Sequence, residues 1–401
     1  MRSPRRTVLR QLRLLIAIGA VGAALITPNA VAHAAVTGAV TEYAVPSPTT
    51  NGNPRGITGG PDGKVWFVTG MGQLGRITPG GHIREFPIAT AQEITTGPDR
   101  NLWVTQPLTN QIGRINVSHG DPTVSEFPAP SPCHQPLRFC MDGIAAGPDG
   151  NVWFTEPSRN AVGRVTPAGV ITEFALNPPP PQCTTLPCPP PAPPAHSFPL
   201  RITAGSDGNL WFALGASTEI GRIDPTTFAT AFFAIPNPDP TLNPCGIGVN
   251  GGITAGPDNN LWFSVEGGCF DDLTGAFTHV TDSIGRITTS GTVVPAFPIS
   301  AGSNVQALTT GRDGNVWFGE HNSLDAQGVG LPGMQVGRLT PTGQLTEFVT
   351  PTPNSAPFDV TSGPRGDIWF SEFGHIGRIH LCATGEDQTG NCEGDFNKGE
   401  D

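Results

Sequence analysis

The stretch DGIAAGPDGNVWFTEPSRNAVGRVTPAGVITEFAL, Asp142–Leu176, decides how the rest of the chain is read. It falls into four short segments, Gly143–Ala146, Asn151–Glu156, Val162–Thr166 and Val170–Leu176. Gly147-Pro148-Asp149-Gly150 and Pro167-Ala168-Gly169 stand at two of the breaks, and such residues supply the φ angles that tight turns need. Short strands separated by these turns predict an antiparallel meander.

Outward from that stretch the phrase repeats. The chain has seven tryptophans, Trp66, Trp103, Trp153, Trp211, Trp262, Trp317 and Trp369, each after a Gly-Pro-Asp-Gly-like turn. Each is followed by Gly-Arg, which places Arg76, Arg114, Arg164, Arg222, Arg286, Arg338 and Arg378 at equivalent positions. Self-similarity at roughly 40–60 residues marks a propeller or a solenoid. The last unit stops at its third strand, Ile376–Leu381, and the missing Thr-Glu-aromatic strand stands at the other end as Thr41–Pro46. A solenoid needs capping repeats instead. The expected fold is all-β: a seven-bladed β-propeller of four-stranded antiparallel blades over residues 35–381, its N-terminal strand completing the last blade.

The flanks have other roles. Arg2, Arg5, Arg6, Arg10 and Arg13 precede the apolar run Leu14–Ile26, and Ala32-His33-Ala34 offers a small-residue cleavage site. Residues 1–34 therefore read as a signal peptide of a secreted protein, and Arg5-Arg6 allows the twin-arginine route. No second apolar run long enough for a membrane span follows. Residues 382–401 read as an acidic C-terminal tail. The eight cysteines fall into couples close in sequence, Cys133/Cys140, Cys183/Cys188, Cys245/Cys269 and Cys382/Cys392, which in an exported chain predicts disulfides. A net charge of −11 with only Lys64 and Lys398 as lysines disfavours a nucleic-acid partner.

Residues present in every repeat are scaffold. The tryptophans are expected between blades, and the Gly-Arg arginines and the glutamates Glu42, Glu85, Glu126, Glu173 and Glu347 beside them are expected to be structural. Function belongs where the repeat breaks. The long insertions Pro128–Asp142, Asn177–Leu200, Pro236–Gly251, Val265–Ser283 and Glu320–Gln335 all emerge on one face of an up-and-down meander. Loops gathered over a rigid scaffold are where ligands bind; a small molecule, peptide or glycan is the expected partner. On that face Glu320-His321 follows Trp317, and Glu372 and His375 follow Trp369. His321 and His375 are candidate catalytic bases and Glu320 and Glu372 candidate metal ligands, against the plainer reading as solvated loop residues. Glu266, Asp271, Asp272 and Asp282 make the fifth blade's loop acidic, either a hard-cation site or a solvated charge run.

ITAGSDGNLWF (202–212), VGRLTPTG (336–343) and LTEFVTPTPNSAPFDVTSGPRGDIWFSE (345–372) resemble the streptogramin lyase family, virginiamycin B lyase and its relatives. The resemblance covers about residues 41–381 and implies a seven-bladed propeller. It also implies a lyase that opens cyclic depsipeptides by Mg2+-assisted elimination, a histidine taking the proton alpha to the ester carbonyl. The family's Glu-Pro-His-Gly-Ile phrase is matched here by Ala356-Pro357-Phe358-Asp359-Val360, and its second glutamate by Phe373. No other blade restores the histidine, since Arg55, Gln92, Asp142, Leu200, Gly251 and Gln306 hold the corresponding positions. Two readings remain open: a lyase-like enzyme with a changed site, or a non-catalytic extracellular propeller that binds a polysaccharide, peptide or protein.

Overall fold

The computed structural model describes residues 35–36, 40–46, 53–133, 140–176, 198–215, 218–237, 247–249, 251–271, 276–300, 302–321 and 334–381, with the backbone alone for 35–36, 268–271 and 276–281. Within them the chain forms seven antiparallel sheets of successive strands. In the third, Ile144–Ala146, Val152–Glu156, Ala161–Val165 and Ile171–Ala175 pair in order, one residue or less from the expected bounds at most ends. The first strands touch their neighbours all the way round, and Asp359–Ser362 of the last blade meets Pro54–Gly59 of the first. The ring is closed. Val40–Ala44 pairs antiparallel with His375–Ile379, so the N-terminal strand completes the seventh blade as expected.

The second strand of each blade explains the core. VWFTE (Val152–Glu156) is buried at every residue because a blade packs on a neighbour through each of its faces. Alternation therefore puts Trp153 toward one neighbour and Phe154 toward the other. Trp153 packs with Leu210, Phe212 and Ile223 of the fourth blade, and Trp103 of the second blade packs with Val152, Phe154 and Val165. The pattern passes through the closure, where Trp369 packs with Val65, Phe67 and Ile77 of the first blade.

Around each tryptophan the repeat builds the same group. Trp153 stacks on Phe174 of its own blade at 5.5 Å between ring centroids, and its indole N–H donates to Asp149 of the turn at 3.1 Å. The Arg164 guanidinium lies 5.9 Å from the Trp153 ring and 5.8 Å from the Phe174 ring. In the seventh blade the aromatic partner is Tyr43 of the closing strand, 5.9 Å from Trp369. The arginines also cross to the next blade: Arg114 donates to Pro167 O at 2.5 Å and Arg378 to Pro79 O at 2.8 Å. They are structural.

The glycines follow from this packing. A Cβ on Gly163 would lie 2.1 Å from Phe154 Cζ, so Gly before the arginine is the space the phenylalanine occupies. Gly169, at φ +87°, turns the chain over Phe127 of the preceding blade, where a Cβ would lie 2.0 Å from Cε1. The fourth-strand glutamates form a further inter-blade clasp. Glu173 accepts from Ser131 N–H at 3.1 Å, Glu347 from Ser300 Oγ at 2.8 Å and Glu42 from Thr352 N–H at 2.9 Å, each donor lying just beyond the fourth strand of the preceding blade.

Two features differ from expectation. Much of the insertion Val265–Ser283 is not an irregular loop: Leu261–Asp271 and Ala276–Ile287 extend the fifth blade's middle strands into a long hairpin, with Ile247–Gly248 paired against Glu266 and Gly267. The ladder shifts register between Gly267 and Gly268, and a glycine pair there lets two strands continue past the disc. Ala35–Val36 adds a short parallel strand beside Glu347–Phe348 of the sixth blade. Cys133–Cys140 is a disulfide, as its spacing suggested. The side chains of the other three couples lie outside the described residues, as do the signal peptide expected at 1–34 and the tail expected at 382–401. Among the described residues no helix is long and apolar enough to cross a membrane.

Closure through Tyr43 gives the first prediction. Tyr43→Ala removes the ring that covers Trp369 and should destabilise the fold by about 2–3 kcal/mol, from the lost burial and stacking of one aromatic side chain. Urea unfolding measures this; a change below about 0.5 kcal/mol, typical of an unconstrained surface residue, would show that the strand does not anchor the ring.

Candidate functional site

The first strands enclose a central channel with a cavity of about 200 Å3, where isoleucines such as Ile57 and Ile94 alternate with Thr58, Thr95, Thr203 and Thr254 and the exposed lining is mostly polar. Charge enters it at a few asymmetric positions. Arg201 of the fourth blade reaches across to hydrogen-bond Glu93 of the second, and its Nη1 lies 3.9 Å from Asp359 of the seventh. Asp359 also accepts the N–H groups of Ile57 at 2.9 Å and Val360 at 3.0 Å. Asp142 of the third blade accepts from Gln92 Nε2 at 2.6 Å. Three blades are thus joined through one guanidinium, and the Gln92–Asp142 bond ties the third blade to the second.

Burial pushes the carboxyl groups of Glu93, Asp142 and Asp359 upward, and the Arg201 charge opposes it in each case. Burial alone would lower Arg201, but Glu93, Asp359 and Asp142 outweigh it and hold the guanidinium protonated. Sequence reasoning missed this group. Its signal was present as charged residues at first-strand positions in only some blades, but Glu93 and Arg201 become neighbours only when the ring is folded.

On the looped face the mouth of the channel is aromatic. The Phe358 ring lies 5.8 Å from the Arg55 guanidinium, and His321 meets it edge-on at 5.8 Å. His321 also meets Phe373 edge-on at 6.0 Å, and Phe373 is 45% exposed, a large apolar surface at the rim. Burial lowers the His321 pKa and so favours the neutral ring. Its Nδ1 is buried without a hydrogen-bond partner.

The four residues singled out in the sequence lie in three surroundings. His321 is at the mouth. Glu320 points into its blade, accepts from Ser303 Oγ at 3.1 Å and is pushed up to about 8, by burial first and then by Glu347. Glu372 and His375 come together with Glu42, their ligand atoms all within 4.8 Å of one another. Glu42, read from the repeat as scaffold, belongs to both groups.

Glu320 and Glu372 repeat a theme, because the residue ending the second strand faces the fourth-strand glutamate. In the second blade Gln106 donates to Glu126 at 3.3 Å. In the third, sixth and seventh blades two carboxyl groups face each other instead: Glu156/Glu173, Glu320/Glu347 and Glu372/Glu42. Glu156 and Glu372 are likewise pushed up to about 8, mainly by burial. In the fifth blade Glu266 and Asp282, read as part of an acidic loop, are instead cross-strand partners and buried.

The magnesium ion implied by the resemblance finds no donors at the matching positions. Ala356 and Phe373 carry no oxygen or nitrogen in their side chains, whereas Mg2+ is held by oxygen ligands. The residues there do not fit the ion.

This geometry defines a closed seven-bladed propeller with an insertion-bearing, aromatic-lined mouth. The chain belongs to the virginiamycin B lyase family, whose model matches residues 14–188, 89–322 and 191–380. It is similar to a streptogramin B lyase structure, at 28% identity over 85% of this chain and 97% of that chain with a TM-score of 0.64. A catalytically inactive histidine-to-alanine virginiamycin B lyase from Staphylococcus aureus, solved with quinupristin, is similar at 28% identity over 85% of this chain and 99% of that one, TM-score 0.64. An extracellular domain of a two-component system from B. thetaiotaomicron shares the fold, at 13% identity over 85% of this chain and 40% of that one with a TM-score of 0.58. No curated protein matches the chain.

Two predictions follow from the buried charges. Arg201→Met leaves Glu93, Asp142 and Asp359 without their shared cation and should cost about 3–5 kcal/mol, the usual effect of removing one partner from a buried ionic group. Adding Glu93→Gln should recover part of the loss, measured in a double-mutant cycle. The carboxyl pairs set a pH dependence. Glu156, Glu320 and Glu372 keep a proton to about 8 when folded, against 4.5 in the unfolded chain. Stability from that proton is complete below about 4.5 and is lost as the pH rises through about 8. Glu156→Gln should therefore raise the melting temperature more at pH 9 than at pH 5; an equal effect at both would contradict the shared proton.

Proposed function

We propose that the protein is an exported propeller of the virginiamycin B lyase family that binds a ring-bearing small molecule or peptide at its looped mouth without opening it. The carrying observation is Phe358, which stands where the family's phrase has its base and is bracketed by Arg55 and His321. A phenyl ring cannot accept a proton. It can pack against an apolar or aromatic ligand ring, with the exposed Phe373 beside it. Arg55 adds a donor and a cation to the same mouth, so the chemistry there suits recognition more than elimination. Export is supported by the leader-like N-terminus and by the Cys133–Cys140 disulfide, which persists in an oxidising compartment.

The S. aureus relative shows that ligand and turnover are separable, since its inactive histidine-to-alanine form was solved with quinupristin. Quinupristin is the probe of choice. Calorimetry should show binding that weakens about tenfold or more in Phe358→Ala, from the loss of one stacked ring, while mass spectrometry shows the ligand unchanged. Absence of binding would overturn the reading, and so would a ring-opened product.

One observation favours a second reading, an enzyme with a displaced base. His321 packs on Phe358, burial favours its neutral form, and its Nδ1 has no partner. A proton on the carbon next to the one that bears the ester's alkyl oxygen would pass to the imidazole as that alkyl C–O bond breaks, leaving an alkene and a carboxylate. Product that disappears in His321→Ala would establish this reading in place of the first.

A further inference from the structure

The group formed by Glu42, Glu372 and His375 lies outside the aromatic mouth, at the seam where the N-terminal strand joins the last blade. The seam pairs Glu42 with Gly377 and Ala44 with His375, while Glu372 and His375 are partners across the short turn Phe373-Gly374. All three ligand atoms lie within 4.8 Å of one another. Glu372 is 0% exposed, and both its oxygens are buried without a hydrogen-bond partner. Ser355 comes close enough to oppose the burial that raises Glu372, yet its hydroxyl donates to Thr350 Oγ1 at 2.9 Å. A fully buried carboxyl group facing a second carboxylate, whose charge and close approach both push it upward, is costly unless a proton or a cation joins them.

Comparison between blades separates those two possibilities. The equivalent pairs Glu156/Glu173 and Glu320/Glu347 have Ala161 and Gln335 at the start of the third strand, where the seventh blade has His375. Only the seam combines two carboxyl groups with an imidazole among the described residues. His375 brings a ring nitrogen to the same group. Its Nδ1 lies 3.1 Å from Phe373 O; in the tautomer that donates there, Nε2 keeps a free lone pair. Histidines that ligate metals usually donate their other ring nitrogen to such a carbonyl. Glu42 is held by Thr352, whose N–H and hydroxyl reach its two oxygens, so its carboxylate is positioned before any ion arrives.

We propose that Glu42, Glu372 and His375 form a divalent transition-metal site that fastens the closing strand to the last blade. Two carboxylates and an imidazole suit Zn2+ or Mn2+ better than Ca2+ or Mg2+, which take oxygen ligands. The site is structural, binding the two ends of the ring to one ion. Its three ligands are distinct from Phe358, Arg55 and His321, although Glu372 and His375 flank Phe373 of the rim.

The test uses the full-length, tag-free protein, stripped with a chelator and titrated with Zn2+ alone. Calorimetry should give one ion per chain. Saturation should raise the melting midpoint by several degrees, because an ion that binds only the folded state stabilises it by mass action. Glu372→Gln and His375→Ala should each weaken binding at least tenfold and remove the midpoint shift. Glu372→Gln is isosteric with the protonated acid, so its metal-free fold should melt no lower than the parent. Glu156→Gln, the same change where no histidine is present, should leave the binding intact. Binding that survives both seam substitutions, or a stripped protein that takes up no Zn2+, would overturn the proposal.

Discussion

The interface between neighbouring blades is the constraint on which the rest depends. Each tryptophan must fill the gap to the next blade while its own blade supplies an aromatic ring and an arginine above it, as Trp153, Phe174 and Arg164 do. That single packing unit explains why Gly163 lies opposite Phe154 and why Gly169 turns over Phe127. It also explains why a fourth strand stands ahead of the first blade. Without Tyr43, Trp369 would lack its ring, and the last interface would be the weakest of the seven. The Gly-Arg arginines, expected to be structural, are consumed by this unit and by carbonyls of the next blade.

Once the interfaces are satisfied, polar residues in the interior need a separate explanation. Arg201 gathers Glu93 and Asp359 across the channel, so a bundle of charges that would be costly singly becomes a cross-brace among blades. The carboxyl pairs between second and fourth strands solve a similar problem by keeping a proton. Blade two shows the neutral version, Gln106 on Glu126. The seam differs because its pair has a histidine beside it, and there the same geometry favours a metal ion over a proton.

The repeat was legible because periodicity survives in one dimension: tryptophan spacing, Gly-Pro-Asp-Gly turns and the displaced Thr-Glu-Tyr strand were enough for blade number and closure. The hairpin arm was not. Gly267-Gly268 and the acidic residues around it carry turn-like composition, and only the ladder from Leu261 to Ile287 shows that pairing continues through them. The site was legible by subtraction at Phe358 and Phe373, where the family pattern is broken. It was illegible where partners are distant in sequence, as with Arg201 and Glu93, or where a residue is scaffold and ligand together, as with Glu42. His321 and His375 were found in the same way and proved to have different neighbours, because one follows a second strand at the mouth and the other starts a third strand at the seam.

On the proposed reading, the mouth retains the family's place for a ligand and has lost its chemistry through three side chains. Restoring them tests it most directly: the variant Ala356→Glu, Phe358→His, Phe373→Glu, incubated with Mg2+ and quinupristin, is compared with the parent by mass spectrometry. The variant should yield a ring-opened product and the parent none. A folded, ligand-binding variant that yields no product, or a parent that yields it already, would contradict that reading.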